Sequence, residues 1–170
     1  MNAAAGGWVV CGAAVHTFAH LIPTPMYTGL KHFHSYFAYA VLLLLAVAVL
    51  HAIFARSGKR PFAGTGRKLA LFGLVAAHVQ LLFGLVLYFL SPVGLSNFSG
   101  TNMGEPTLRL YMLEHPLMMI IGIVLITMGW SKAKRAADDG RKHGLVALWY
   151  GIGLVLMLSR IPWTVWPVAG

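Results

Sequence analysis

His34 and His115 hold matching places in the chain. Each sits near the start of a long apolar run, HFHSYFAYAVLLLL and LEHPLMMIIGIVL. An ionisable side chain inside a membrane is costly and by default marks a function. Two neutral imidazoles facing each other across a helical bundle supply the two axial positions of a six-coordinate haem iron. The pair therefore makes His34 and His115 candidate axial ligands of a haem iron; buried, hydrogen-bonded core histidines are the other reading. Such ligation leaves no open iron position, so one-electron transfer is favoured over oxygen or substrate chemistry at the metal. An electron carrier or a subunit fits this better than a stand-alone catalyst.

Composition sets the class in which such a pair must work. Of 170 residues, 58% are hydrophobic and only 10% charged, against about a quarter charged in soluble domains. The length suits one helical domain. The single cysteine, Cys11, excludes a disulfide framework or a cysteine-based zinc or iron–sulfur site built from this chain alone. It reads as a small residue packed in an apolar segment.

The net charge of +9 is explained by where the basic residues fall. Arg56, Lys59, Arg60, Arg67 and Lys68 form one group, and Lys132, Lys134, Arg135, Arg141 and Lys142 another. Basic connections on one side of an even number of crossings follow the positive-inside rule. The segments 56–68 and 131–143 are expected to face the cytoplasm and anionic headgroups, in a multi-pass protein of a bacterial inner membrane. Nucleic acid is excluded as a partner.

Four apolar segments separate these connections: Phe33–Ala55, Leu69–Leu90, Tyr111–Trp130 and about Gly144–Leu158. The longer ones match a hydrocarbon core of about 30 Å, and flanking Lys142 and Arg160 can snorkel to extend the last. Trp130, Trp149, Trp163 and Trp166 fall at or near span ends, where indoles anchor. Lipid demands that every backbone polar group be satisfied within the segment, so the expected fold is an all-α, four-helix membrane bundle over residues 32–170. Residues 1–31 form an N-terminal extension, partly helical. Within it Gly7–Ile22 is a short apolar segment, closed by Pro23 and Pro25, without the basic start of a signal peptide. It is a fifth crossing, a re-entrant helix or a helix on the outer surface.

Depth sorts the eight histidines. At the α-helical rise, His34 lies about 2 Å and His115 about 7 Å from the outer ends of their runs. His78 is about 18 Å down its segment, near mid-membrane. His51 belongs to the cytoplasmic end, and His32 and His143 read as solvated. His16 and His20 share a helical face and could hold a metal only with a third ligand. Pairing His51 with His78 around a second haem would require a depth mismatch near 9 Å.

Helical spacing places Gly122 and Gly129 below His115, and Ala38, Val41 and Ala48 below His34. Small residues there leave room for a porphyrin, or let helices approach closely. Gly122 is on that basis a candidate cofactor contact. Arg109, Lys31 and Arg160 are candidates to neutralise haem propionates. His78, Gln80 and Glu114 are candidate proton-relay groups.

The segments MYTGLKHFHSYFAYAVLLLL, GRKLALFGLVAAHVQLLFGLVLYFLSPVG, EHPLMMIIGIVLITMGWSKAKR and LVLMLSRIPW resemble a family of small bacterial four-helix membrane proteins described as cytochrome b-like. The resemblance runs from Met26, which looks like the usual start, and implies haem b. A fainter likeness is to one half of haem A synthase, in which helices entering from the outer side carry a haem-ligating histidine near their start. His34, His115 and Gln80-Leu81-Leu82-Phe83-Gly84 match that pattern. The acidic-then-histidine motif of that enzyme's first helix is absent before His34, and one half alone implies no hydroxylation.

The expected function is thus a membrane b-type cytochrome transferring single electrons near the outer face. It would work with a membrane redox partner or a larger complex in the bilayer, and oligomers are compatible with this. Two other classes fit the same composition: a haem-free accessory subunit of a respiratory or photosynthetic complex, and a small proton-coupled transporter relying on His78.

Overall fold

The computed structural model describes residues 23–163 and Trp166. Four long helices make up the fold: α1 (Thr24–Ser57), α2 (Thr65–Leu90), α3 (Pro106–Arg135) and α4 (Asp139–Ser159). Each is long and apolar enough to cross a membrane. At 21 residues, the shortest, α4, spans about 32 Å. Residues 1–22, including Gly7–Ile22, His16 and His20, lie outside the described part.

Helix boundaries follow from local chemistry, and they fall outside the apolar runs. Pro25 lies in the first turn of α1 after Pro23, where a missing N–H is no loss, so the helix starts at Thr24 instead of Phe33. The expected division between residues 31 and 32 is therefore the interior of one continuous helix. Gly64 precedes α2 with φ 69°, a left-handed conformation that glycine adopts without steric cost. The Glu105 carboxylate accepts the Thr107 N–H at the start of α3, and Asp138 accepts that of Arg141 at 2.7 Å before α4; both are side-chain N-caps. Polar and basic residues thus lengthen the helices at both ends. All five residues of the second basic group, expected in a loop, lie on the last turns of α3 and the first of α4; only residues 136–138 connect them.

Helix α1 packs on α2 and α4, α3 packs on α4, and α2 and α3 meet over a smaller area. The short connections at 58–64 and 136–138 make these neighbours antiparallel, so both lie at one end, called here the basic end. The connection 91–105, with 3-10 turns at Leu95–Asn97 and Asn102–Gly104, lies at the other.

In lipid the hydrophobic effect does not press helices together, so close van der Waals approach must. The buried interior is accordingly rich in small side chains: Ala48, Ala52 and Ala55 on α1, Ala70, Gly73, Ala76 and Ala77 on α2, Gly122, Gly129 and Ala133 on α3. At the α3–α4 crossing Gly122 and Gly153 lie back to back. A Cβ on Gly153 would stand 2.8 Å from the Gly122 carbonyl oxygen. Leu45, Ile126 and Tyr150 fill the centre, each fully buried, and the Tyr150 hydroxyl donates to the Ala70 carbonyl at 2.8 Å. Large apolar residues such as Leu43, Phe54, Phe72, Leu82 and Val155 point outward, as a lipid-facing surface requires.

Three variants test this packing. Gly153→Ala should destabilise the protein by about 1–3 kcal/mol, whereas Gly29→Ala, with open space around its Cβ, should be neutral or slightly stabilising. Tyr150→Phe should cost about 0.5–1.5 kcal/mol through its lost hydrogen bond. Thermal unfolding in detergent reads all three.

Candidate functional site

All four helices border a cavity of about 500 Å³ toward the end opposite the basic connections, and both His34 and His115 line it. That volume falls in the usual range of cofactor pockets, about 300–1,000 Å³. The wall is mostly apolar, from Ala38, Val41, Leu81, Met119, Ile123 and Met157 among others. Its polar groups are the two histidines, Lys31, Gln80, Ser35, Ser91 and the hydroxyls of Tyr27, Tyr88 and Tyr111.

His34 is set by α2. Its ring lies on Gly84, where an added Cβ would stand 3.0 Å from the imidazole Cε1; any larger residue would push the ring away. One turn along α2, Gln80 donates through Nε2 to the His34 carbonyl oxygen at 2.8 Å. That anchors the amide beside the histidine. His34 Nδ1 and Gln80 Oε1 are nevertheless buried without a hydrogen-bond partner. Buried polar atoms are nearly always paired, so two orphans at one cavity signal a missing ligand or water.

His115 is set from the other side. Its Nδ1 lies 2.8 Å from the Arg160 carbonyl oxygen. A carbonyl only accepts, so Nδ1 carries the proton and Nε2 keeps its lone pair. This is the arrangement typical of metal-ligating histidines, in which the second nitrogen donates to a carbonyl or carboxylate.

The segment Leu110–Glu114 just before His115 is π-helical. Five residues make about one turn of such a helix, which brings Arg109 and Glu114 onto one side; Arg109 Nε meets Glu114 Oε1 at 2.8 Å. The other Glu114 oxygen lies 3.3 Å from Arg160 Nε. Glu114 therefore clasps the residue whose carbonyl orients His115. The wider turn is held by the Tyr88 hydroxyl, which donates to the Met112 carbonyl at 2.8 Å. Trp166 also lines the cavity, donating to the Ser35 carbonyl at 3.1 Å and stacking on Tyr39.

Not all the candidate residues gather here. Gly122 faces Gly153 and Met157 in the helix crossing and is absent from the cavity wall; its smallness serves close approach, not a cofactor contact. Arg109 is also outside the wall, its guanidinium turned to Glu114 and to the Met103 carbonyl at 3.0 Å. Lys31 is the basic residue that borders the cavity. The candidate relay does not assemble, since its members engage different partners. His78 Nδ1 bonds the Leu74 carbonyl at 2.8 Å and Nε2 lies 3.4 Å from the Thr127 hydroxyl on an exposed face. Gln80 serves His34, and Glu114 serves the two arginines.

His51 does not pair with His78; its ring neighbour is His143, 6.0 Å away between centroids. His143, expected in a solvated loop, is fully buried on α4. The residues that sequence reasoning overlooked are Trp166 as a wall, Tyr88 as the support of the π-turn and Arg160 as a backbone acceptor. Only the apolar spacing Val146, Tyr150, Gly153, Met157 signalled that His143 shares the inward face of α4. Compared with known proteins, the chain matches no family model, no curated protein and no solved structure.

Proposed function

We propose that the chain is a membrane b-type cytochrome holding one haem between His34 and His115. The observation that carries the reading is their convergence on one apolar cavity, with the His115 tautomer fixed so that Nε2 is available. The donor set fits the group: two imidazoles, a small residue under the His34 ring, an apolar wall and Lys31 to meet a carboxylate. Bound there, haem would supply one-electron transfer. The chain's own residues do the rest. Arg160 and Glu114 hold the His115 ring, Gly84 and Gln80 hold the segment carrying His34, and Trp166 covers the apolar wall from solvent.

The same reading places the protein in a bacterial inner membrane with the basic connections cytoplasmic, exchanging electrons with a membrane or outer partner. Among the other classes, a haem-free accessory subunit is the outcome if no haem is found. The transporter reading lacks support from its central residue, since His78 stands on an exposed face.

Oxidised and reduced absorption spectra of protein purified from haem-replete cells provide the test. A sharp reduced α-band is expected in wild type and in His78→Ala. It should be lost in His34→Ala and His115→Ala, and at least halved in Gly84→Leu. A colourless wild-type protein would reject the proposal.

Orientation is tested separately in a Cys11→Ser background. A cysteine at Gly100 should react with an impermeant maleimide on intact cells, and one at Ala136 only after the membrane is opened. The reverse pattern would invert the assignment.

A further inference from the structure

The opposite end of the bundle contains a second histidine pair, independent of the cavity. His143, near the start of α4, is completely buried, and neither of its ring nitrogens has a hydrogen-bond partner. A buried imidazole with both nitrogens unused is costly. The His51 ring, near the end of α1, stands 6.0 Å from it, centroid to centroid, with the planes at 49°. Phe62, from the α1–α2 connection, presents an edge contact to His143 at 5.1 Å. The first turn of α2 closes the other side. A Cβ on Gly66 would stand 2.9 Å from His143 Cε1 and 3.2 Å from His51 Cε1.

We infer that His51 and His143 form a binding site for a single monovalent copper ion, each ring giving one nitrogen. Three observations select that ion. First, two metal–nitrogen bonds of about 2.0–2.1 Å with the ring radii added span about 6 Å, the separation seen. Second, the Gly66 backbone stands against both rings, which leaves no room there for a flat macrocycle. Third, among the described residues no group of three or more His, Cys, Asp and Glu is placed to hold a metal. Zinc takes four ligands, whereas monovalent copper is content with two in line. Charge argues the same way: an added Cβ on Gly144, next to His143, would lie 3.0 Å from an Arg56 guanidinium nitrogen, so a single positive charge is repelled less than a double one. His51 is only half-buried and offers the ion a way in.

The experiment is an anaerobic titration of detergent-purified protein, made without a polyhistidine tag, with monovalent copper against a chromogenic chelator. His16→Ala and His20→Ala are present throughout, to remove the other histidine pair. One equivalent of copper should bind, weakened at least tenfold by His51→Phe and by His143→Phe. X-ray absorption should show nitrogen neighbours at about 2 Å and no sulfur. Should His143→Phe fail to fold, His51→Phe and Gly66→Leu carry the test, with elution profile and thermal midpoint as fold controls. Uptake unchanged in those variants, sulfur in the metal's first neighbours, or no uptake by the parent protein would overturn the assignment. The readout is the change caused by His51→Phe and His143→Phe relative to the parent, which separates this site from any uptake at His34 and His115 if no haem binds there.

Discussion

The close approach of α3 and α4 through Gly122 and Gly153 is the contact on which the rest of the bundle depends. In hydrocarbon, exposed leucine costs nothing, so helices associate only where their backbones can come near enough for dense van der Waals contact. A seam of glycine and alanine provides that nearness at the α3–α4 face. Once α3 is drawn onto α4, and α4 onto α1, the thinner contact between α2 and α3 leaves room toward the end opposite the basic connections. The cavity between the histidines is the space left by that uneven packing.

Polar groups buried in this setting need partners, and the two ends of the bundle solve the problem differently. At the cavity end, His115 is satisfied by a backbone carbonyl and Glu114 by two arginines, while His34 and Gln80 each keep one orphan atom. At the basic end, both orphans belong to one ring, His143, walled by Phe62 and Gly66. Unsatisfied atoms in an otherwise dense interior point to both places. They do so without any help from sequence similarity.

Much of the fold was legible because hydropathy and backbone satisfaction leave few choices in lipid. Hydropathy alone gives the four spans in their order and puts His34 and His115 toward one end, where both line the cavity. The ends of helices were underestimated because Lys, Arg and Pro interrupt an apolar run without interrupting a helix, as the Thr24 start of α1 shows. From the sequence Gly122 reads equally as a cofactor contact and as a helix contact, because small residues leave room for ligands and for neighbouring helices alike; only the packing distinguishes the two. Its basic neighbours Arg141 and Lys142 make His143 look solvated, although its phase with Tyr150 and Gly153 puts it inside. The π-turn at Leu110–Glu114 could not be read at all, because its signal is a backbone hydrogen-bond register and not a composition.

That turn has a mechanical consequence. A seam of glycines is smooth: it holds two helices close but resists little if one slides along the other. The five-residue turn lets Arg109 and Glu114 meet on one side of α3, and Glu114 then grips Arg160 beyond the end of α4. Together with the bond from His115 to the Arg160 carbonyl, this forms an axial latch between two otherwise slippery rods. The height of the His115 ring in the bundle is therefore fixed by ionic contacts at the helix ends, while the seam fixes only its distance from the bundle axis.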